Sequence, residues 1–293
     1  MNTQTIIQKL DSYERLMRLD KPIGILLLLW PTLWALLIAG HGKPNWIIVL
    51  IFFTGTVLMR SAGCVMNDIA DSKYDGLVER TKNRPLATNE VSKKEAYLLA
   101  GGLSLVAFGF VCVLNALTIK LSVLALFLAA SYPLTKRFLA IPQAYLGIAF
   151  GFGIPMAFAA INGHIAPVAW LLLAANIFWA VAYDTEYAMV DREDDLKIGI
   201  KSSAITFGRF DIIAVMICYA LSLSLLAYAG SWLAMGYAYY LGLLVAAGIA
   251  LYHYTLIKDR ERTLCFKAFL GNNWIGLAVF AGVVAEYVLR YWR

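Results

Sequence analysis

Charge is what this 293-residue chain has least of: Asp, Glu, Lys and Arg make up 15% of it, while 61% is hydrophobic. Soluble domains carry about 25% charged residues. At a mean hydropathy of +0.69, one aqueous core cannot hide this much apolar surface. Lipid is therefore the expected solvent. Histidine is scarce as well: His41, His164 and His253 lie far apart in sequence, which argues against a histidine-built metal centre. Cys64, Cys112, Cys218 and Cys265 include no CxxC pair, lie in or beside apolar segments and read as small buried residues. The N-terminal stretch is polar to about Lys21 and has no short apolar core with a cleavage site, which argues against a removable signal peptide. The net charge of +6 is modest and sits in short loops, which does not point to nucleic acid.

What is present is a succession of apolar runs. Nine have roughly spanning length: 23–40, 46–65, 96–115, 119–134, 143–161, 166–183, 211–229, 233–252 and 271–289. The expected fold is an all-α integral membrane protein, with nine transmembrane helices in a ring-like bundle around a central cavity. Residues 1–22 read as a cytoplasmic tail and 23–293 as a single membrane domain. All but four of the 25 Lys and Arg residues (Lys43, Lys120, Arg290 and Arg293) fall on one side of that arrangement. The positive-inside rule then places the N-terminus and the even-numbered loops in the cytoplasm and the C-terminus in the periplasm.

Two acidic clusters stand out against this background. One reads Asn67-Asp68-Ile69-Ala70-Asp71-Ser72-Lys73-Tyr74-Asp75, the other Asp184-Thr185-Glu186-Tyr187-Ala188-Met189-Val190-Asp191-Arg192-Glu193-Asp194-Asp195. Carboxylates near hydrocarbon are costly and mark function by default. Positions 67, 71 and 75 step by four, as do 191 and 195, so each set shares a helix face. Like charges stacked in this way call for a cation between them, and Mg²⁺ bridging to phosphate would serve. Both clusters follow even-numbered segments and so share the cytoplasmic side. The pattern of span, acidic cluster and basic loop recurs four spans later, a weak internal repeat.

Each acidic cluster runs into a basic loop: Glu79-Arg80-Thr81-Lys82-Asn83-Arg84-Pro85-Leu86 after the first and Lys197-Ile198-Gly199-Ile200-Lys201-Ser202 after the second. Carboxylates beside Lys and Arg are what a metal–diphosphate site needs. A cation-coupled transporter, the rival from another class, would need the carboxylates but not these loops. Other charges have plainer readings. Asp20 before Lys21-Pro22 is most simply a helix N-cap, Glu90 and Glu95 belong to a first helical turn, and residues 258–262 form a solvated loop. Trp30, Trp34, Trp46, Trp170, Trp179, Trp274 and Trp292 read mostly as interfacial belt or packing, and Tyr132, Tyr183 and Tyr187 lie closest to the charged sets.

These motifs resemble those of the UbiA superfamily of intramembrane prenyltransferases. The likeness rests on Asn67-Asp68-x-x-Asp71-x-x-x-Asp75 with residues 81–86, and on Tyr183-Asp184-Thr185-x-Tyr187-Ala188-x-x-Asp191-x-x-Asp194-Asp195 with residues 197–202. The run from Arg15 to Gly24, with Leu29-Trp30-Pro31-Thr32-Leu33-Trp34-Ala35, is similar to the branch that prenylates 4-hydroxybenzoate. The resemblance implies a bacterial inner-membrane enzyme of ubiquinone synthesis. It would join a polyprenyl diphosphate to C3 of 4-hydroxybenzoate, with membrane lipid around it and no obligate protein partner. A sister enzyme with another aromatic acceptor is the alternative.

Carried over by residue, the resemblance implies that Asn67, Asp71, Asp191 and Asp195 ligate Mg²⁺, with Asp68, Asp75 and Asp184 completing or supporting the shells. Lys82, Arg84, Lys136 and Lys201 would meet diphosphate. Arg137 would pair with the aromatic carboxylate, and Arg60 is the other residue able to do so. Asp71, Asp75, Asp191 and Arg137 are the expected catalytic set, with Asp75 or Asp191 assisting deprotonation of the phenol.

Overall fold

The computed structural model describes residues 3–73, 75–77 and 80–291, with only the backbone described at 3–6 and 198. Tyr74, Val78, Glu79, Trp292 and Arg293 lie outside the described residues. Among the described residues the fold is all helical. Eight helical stretches are long and apolar enough to cross a membrane, and α2 (Ile23–Ala39) is a shorter apolar helix beside them.

The helix starts follow from local chemistry. Asn45 caps α3 (Trp46–Asp71) by accepting from the Ile47 amide at 2.9 Å. Ser92 and Glu95 form a reciprocal capping box at the start of α4 (Lys93–Val111). Asn115 caps α5 (Ala116–Thr135) through the Thr118 amide. Its amide nitrogen also donates to the Ala159 carbonyl at 2.6 Å, which ties α5 to α7 (Gly153–Asn162). Proline opens α6 (Pro142–Gly151) and α8 (Pro167–Ile198), where its missing N–H costs nothing. Gly199 ends α8 in the left-handed region, at φ 73°.

Two lengths matter most for function. α3 has 26 residues and α8 has 32, so they extend about 39 and 48 Å at 1.5 Å per residue. Both exceed the roughly 30 Å hydrocarbon thickness. Their C-terminal turns project past it, and those turns carry the acidic clusters. Hydropathy alone ends the spans at 65 and 183, because a helix continuing through charged residues leaves no apolar signal. For the same reason the last span, read as 271–289, is the C-terminal part of α12 (Arg262–Tyr291).

Four further expectations are corrected. Residues 3–17 are not an unstructured tail but form α1 (Thr3–Met17), which packs on α3. Its Leu16 is buried with Val65, Ile69, Leu86 and Val91 in a small cluster of its own. Asp20 does not cap α2: the N-cap is Pro22, with no side-chain hydrogen bond. Glu90 precedes α4 and pairs with Arg15 of α1. The 258–262 loop is not merely solvated either. Arg260 reaches Asp211 at the start of α10 (Asp211–Trp232), whose fully buried carboxylate also takes Arg192 at 3.3 Å.

The main core is aromatic and apolar, with Trp34 and Trp179 stacked at 5.6 Å between centroids. Inside it lies a polar knot. Tyr219 Oη is 2.9 Å from both Glu186 Oε1 and Asn272 Oδ1, and 3.1 Å from His253 Nδ1. The Asn272 amide donates to Glu186 Oε2 at 2.8 Å, and Trp179 Nε1 donates to Asn272 Oδ1 at 2.9 Å. Glu186 therefore binds α8 to α10, α11 (Tyr237–Ile257) and α12, which fixes the rotation of α8 and aims its opposite face inward. Removing one member of a buried charged network costs about 3–5 kcal/mol. Thermal unfolding in detergent is expected to show Glu186→Ala destabilised on that scale, with Glu186→Gln milder.

Candidate active site at the mouth of the bundle

The inward faces of α3 and α8 border one cavity of about 1420 Å³. From α3 it receives Asn67, Asp68 and Asp71, and from α8 Asp184, Asp191 and Asp195. The Asn67 amide donates to Asp71 Oδ2 at 3.1 Å. Lys136, at the C-terminal end of α5, brings its ammonium to 3.3 Å from Asn67 Oδ1 and 3.4 Å from Asp71 Oδ2. The Lys201 amide donates to the Lys136 carbonyl at 3.2 Å, which joins the loop after α8 to the end of α5. Lys136 and Lys201 both line the cavity.

Across the cavity Asp191 is held by Arg80, whose Nε lies 3.0 Å from each carboxylate oxygen and whose Nη2 lies 2.5 Å from Oδ2. The same guanidinium sits 4.6 Å from the centre of the Tyr187 ring. Asp184 and Gln143 of α6 line the same cavity, and Gln143 Oε1 accepts from the Ser203 amide at 3.0 Å.

Asp68 and Asp75 serve a different purpose in this arrangement. Asp68 is fully buried between Arg18, at 2.8 and 3.0 Å, and Arg84, at 3.0 Å. Arg84 also donates to both oxygens of Asp75, at 2.8 and 3.0 Å. Burial pushes the Asp75 carboxyl above its ordinary range, with Arg84 opposing. Asp68, Arg84 and Asp75 thus fasten the loop after α3 to its parent helix, and Arg18 fastens the segment after α1 to the same point.

Two expected substrate contacts are placed elsewhere. Arg137 is exposed, donates to the Ala70 carbonyl at 3.3 Å, and does not line the cavity. Lys82 is exposed and also outside the lining. Arg60, by contrast, projects into the cavity from α3, seven residues before Asn67 and so about 10 Å deeper. Gly24 of α2 makes room for it, since a Cβ there would collide with the guanidinium.

One observation separates this cavity from an ordinary crevice. Among the described residues, three buried side-chain polar atoms have no hydrogen-bond partner: Arg60 Nε, Tyr183 Oη and Ser202 Oγ. All three residues line the same cavity. Buried polar groups are almost always satisfied, so three orphans in the wall of one cavity mark a place built for a polar ligand.

The donor set also fits a hard divalent ion. It is all oxygen, arranged as Asn67/Asp71 on one helix and Asp191/Asp195 on another. Among the described residues no three His, Cys, Asp or Glu side chains converge tightly enough to form a finished metal site. Lys136 and Arg80 stand against the carboxylates instead and supply the positive charge there.

A model of the UbiA prenyltransferase family matches residues 28–280. The chain belongs to this family. The 4-hydroxybenzoate octaprenyltransferase of Azoarcus sp. (strain BH72) is 66% identical over 285 residues, covering 97% of this chain and 99% of that protein. The enzyme of the same name from Methylobacillus flagellatus is 64% identical over 290 residues, covering 99% and 98%. Among solved structures, an apo UbiA homolog from Aeropyrum pernix K1 superposes with a TM-score of 0.79 at 25% identity, covering 90% of this chain and 97% of that one. A UbiA homolog from Archaeoglobus fulgidus bound to GPP and Mg²⁺ shares the fold, with a TM-score of 0.66 at 20% identity and coverage of 94% and 99%.

Several cavity residues of this UbiA member carry no sequence signal that singles them out. Arg80 is one of several basic residues in its loop, and only the fold pairs it with Asp191, 111 positions away. Gln143 and Arg18 are similarly ordinary in sequence.

Proposed function

We propose that this UbiA member transfers a polyprenyl group from polyprenyl diphosphate to C3 of 4-hydroxybenzoate and releases diphosphate. The three unpartnered polar atoms in the cavity carry this reading. Arg60 supplies a half-buried guanidinium, its Nε unpaired, suited to bidentate recognition of an aromatic carboxylate. It therefore replaces Arg137 as the acid partner. The Tyr183 hydroxyl offers a further polar contact to the acceptor.

Asn67, Asp71, Asp191 and Asp195 would hold Mg²⁺, which when bound supplies charge neutralisation for a departing diphosphate. Asp184 stands one to two turns before Asp191 and supports that set from the Gln143 side. Lys136 and Lys201 meet diphosphate oxygens, and Arg80 joins them once it turns from Asp191. Asp68, Asp75 and Arg84 act as the frame of the loop rather than as ligands. Tyr132, Tyr187 and Phe150 line the cavity, and aromatic rings suit an allylic cation. The surrounding helices keep water away from that cation and so suppress hydrolysis to the alcohol. The allylic C–O bond breaks, the activated ring carbon forms the new C–C bond, and the ring proton passes to a carboxylate lining the cavity.

The inner membrane is the proposed location, with the acidic mouth cytoplasmic and the C-terminus periplasmic, as the basic residues dictate. Residues 23–293 form one catalytic domain, with α1 docked upon it. The test supplies purified protein in lipid with octaprenyl diphosphate, Mg²⁺ and a panel of labelled aromatic acceptors. Label passes into the lipid phase from 4-hydroxybenzoate. A stronger signal from an acceptor without a carboxylate would overturn the assignment.

A further inference from the structure

The projecting turns of α8 carry Asp191 and Asp195 to the cavity. The Glu186 knot fixes the helix lower down. Beyond it stand Asp191, Glu193, Asp194 and Asp195, four carboxylates in five positions that repel one another. At about 100° per residue, Asp191 and Asp195 lie about 40° apart, and Arg192, Glu193 and Asp194 fill an arc centred about 180° behind them.

Partners from α10 and from the loop between α11 and α12 meet that rear arc. Arg192 Nη1 reaches Asp211 Oδ2 at 3.3 Å. Arg262, at the start of α12, lies 2.9 Å from Glu193 Oε2 and 3.7 Å from Asp194 Oδ2. Arg260 closes the arrangement on Asp211. Its Nε is 3.1 Å from each carboxylate oxygen, and its Nη2 is 2.6 Å from Oδ1 and 3.0 Å from the Arg209 carbonyl. Exposed pairs such as those of Arg262 hold little by themselves. Asp211 is the anchor, because its carboxylate is fully buried and shared by Arg192 and Arg260.

The backbone carries a second sign. Arg260 stands at φ 54°, in the left-handed region. An L side chain is strained there and glycine is not. The bonds of the guanidinium to Asp211 and Arg209 sustain an arginine where the backbone alone favours glycine.

We infer that Arg260, acting through Asp211 and Arg192, is a positioning residue for the metal-binding carboxylates. It fixes the projecting turns of α8 so that Asp191 and Asp195 border the cavity, while Arg262 occupies Glu193 and Asp194. The inference rests on the metal–diphosphate reading of the mouth. It gives the α11–α12 loop, which does not line the cavity, a part in metal affinity.

The experiment measures Mn²⁺ binding in the presence of inorganic pyrophosphate, with kcat and KM for 4-hydroxybenzoate, in the purified full chain. Arg260→Gly deletes the guanidinium and relieves the backbone, which confines the change to the side chain. The Mn²⁺ dissociation constant is expected to rise by about 10-fold or more. At subsaturating Mn²⁺ kcat falls, while KM for 4-hydroxybenzoate stays at the parental value. Arg260→Lys keeps a cation at Asp211 and is expected to recover most of the affinity. Lys258→Ala is the control, since that exposed lysine of the same loop pairs with Asp259, and it keeps the parental affinity. Parental Mn²⁺ affinity in Arg260→Gly would overturn the inference. So would a rise in KM for 4-hydroxybenzoate as large as the loss of Mn²⁺ affinity, which marks general loosening. If Arg260→Gly does not fold, Arg192→Gln, which removes only the α8 arm, decides by the same measurement. If the parent binds no Mn²⁺ with pyrophosphate, the reading of the mouth fails and the positioning role falls with it.

Discussion

Asp191→Ala is expected to reduce prenyl transfer by about 10³-fold and to leave the protein inserted and folded. Asp191 and Asp71 line the same cavity from different helices, and Arg80 is bonded to both oxygens of Asp191. Removing the carboxylate takes an oxygen donor from the α8 set and leaves Arg80 without its anchor. The polar knot around Glu186 is untouched, because it lies on the other face of the same helix. Thermal unfolding is therefore expected to stay near that of the parent while activity collapses. Asp71→Ala should behave in the same way, since Asn67 and Lys136 cannot replace a carboxylate. Measurable transfer at more than about a tenth of the parental rate in either variant would argue against a site shared between α3 and α8.

Arg60→Leu is expected to raise KM for 4-hydroxybenzoate by about 10²-fold or more, with little change in KM for the diphosphate. Truncating one partner of a buried hydrogen-bonded charge pair costs about 2–5 kcal/mol. Here the partner is the substrate's own carboxylate, so the loss appears in acceptor binding. Two results sharpen the assignment. A phenolic acceptor without a carboxylate should lose its disadvantage in Arg60→Leu. Arg137→Leu should leave acceptor KM at the parental value, because that side chain is exposed and bonds the Ala70 carbonyl outside the cavity. The reverse pattern would return the carboxylate to Arg137.

The bundle could be read from the sequence because lipid imposes a simple rule: each span must be long, apolar and helical. Membrane placement and the number of apolar segments followed from that rule. The acidic sets were legible for a related reason. Charge is so expensive beside hydrocarbon that helix-spaced carboxylates on one side of the membrane stand out. What sequence could not resolve was which carboxylates share a partner. Asp68 and Asp71 are three positions apart and chemically alike, yet one is fully buried between Arg18 and Arg84 while the other stands beside Lys136. Helix rotation decides that difference, and a carboxylate on the other face, Glu186, sets the rotation of α8. The pairing of Arg80 with Asp191 depends on how a loop folds back over the mouth, which spacing does not encode. The helical nature of residues 3–17 was hidden because α1 is amphipathic rather than apolar, and a polar stretch beside nine spans looks like a tail.

The central claim is that carboxylates from α3 and α8 act together on one metal-bound diphosphate. Binding of Mn²⁺ to the purified protein in the presence of inorganic pyrophosphate tests it without relying on turnover. The expected result is joint, saturable binding in the parent and its loss in both Asp71→Ala and Asp191→Ala. Parental binding in either single variant would contradict the claim, because one helix would then suffice.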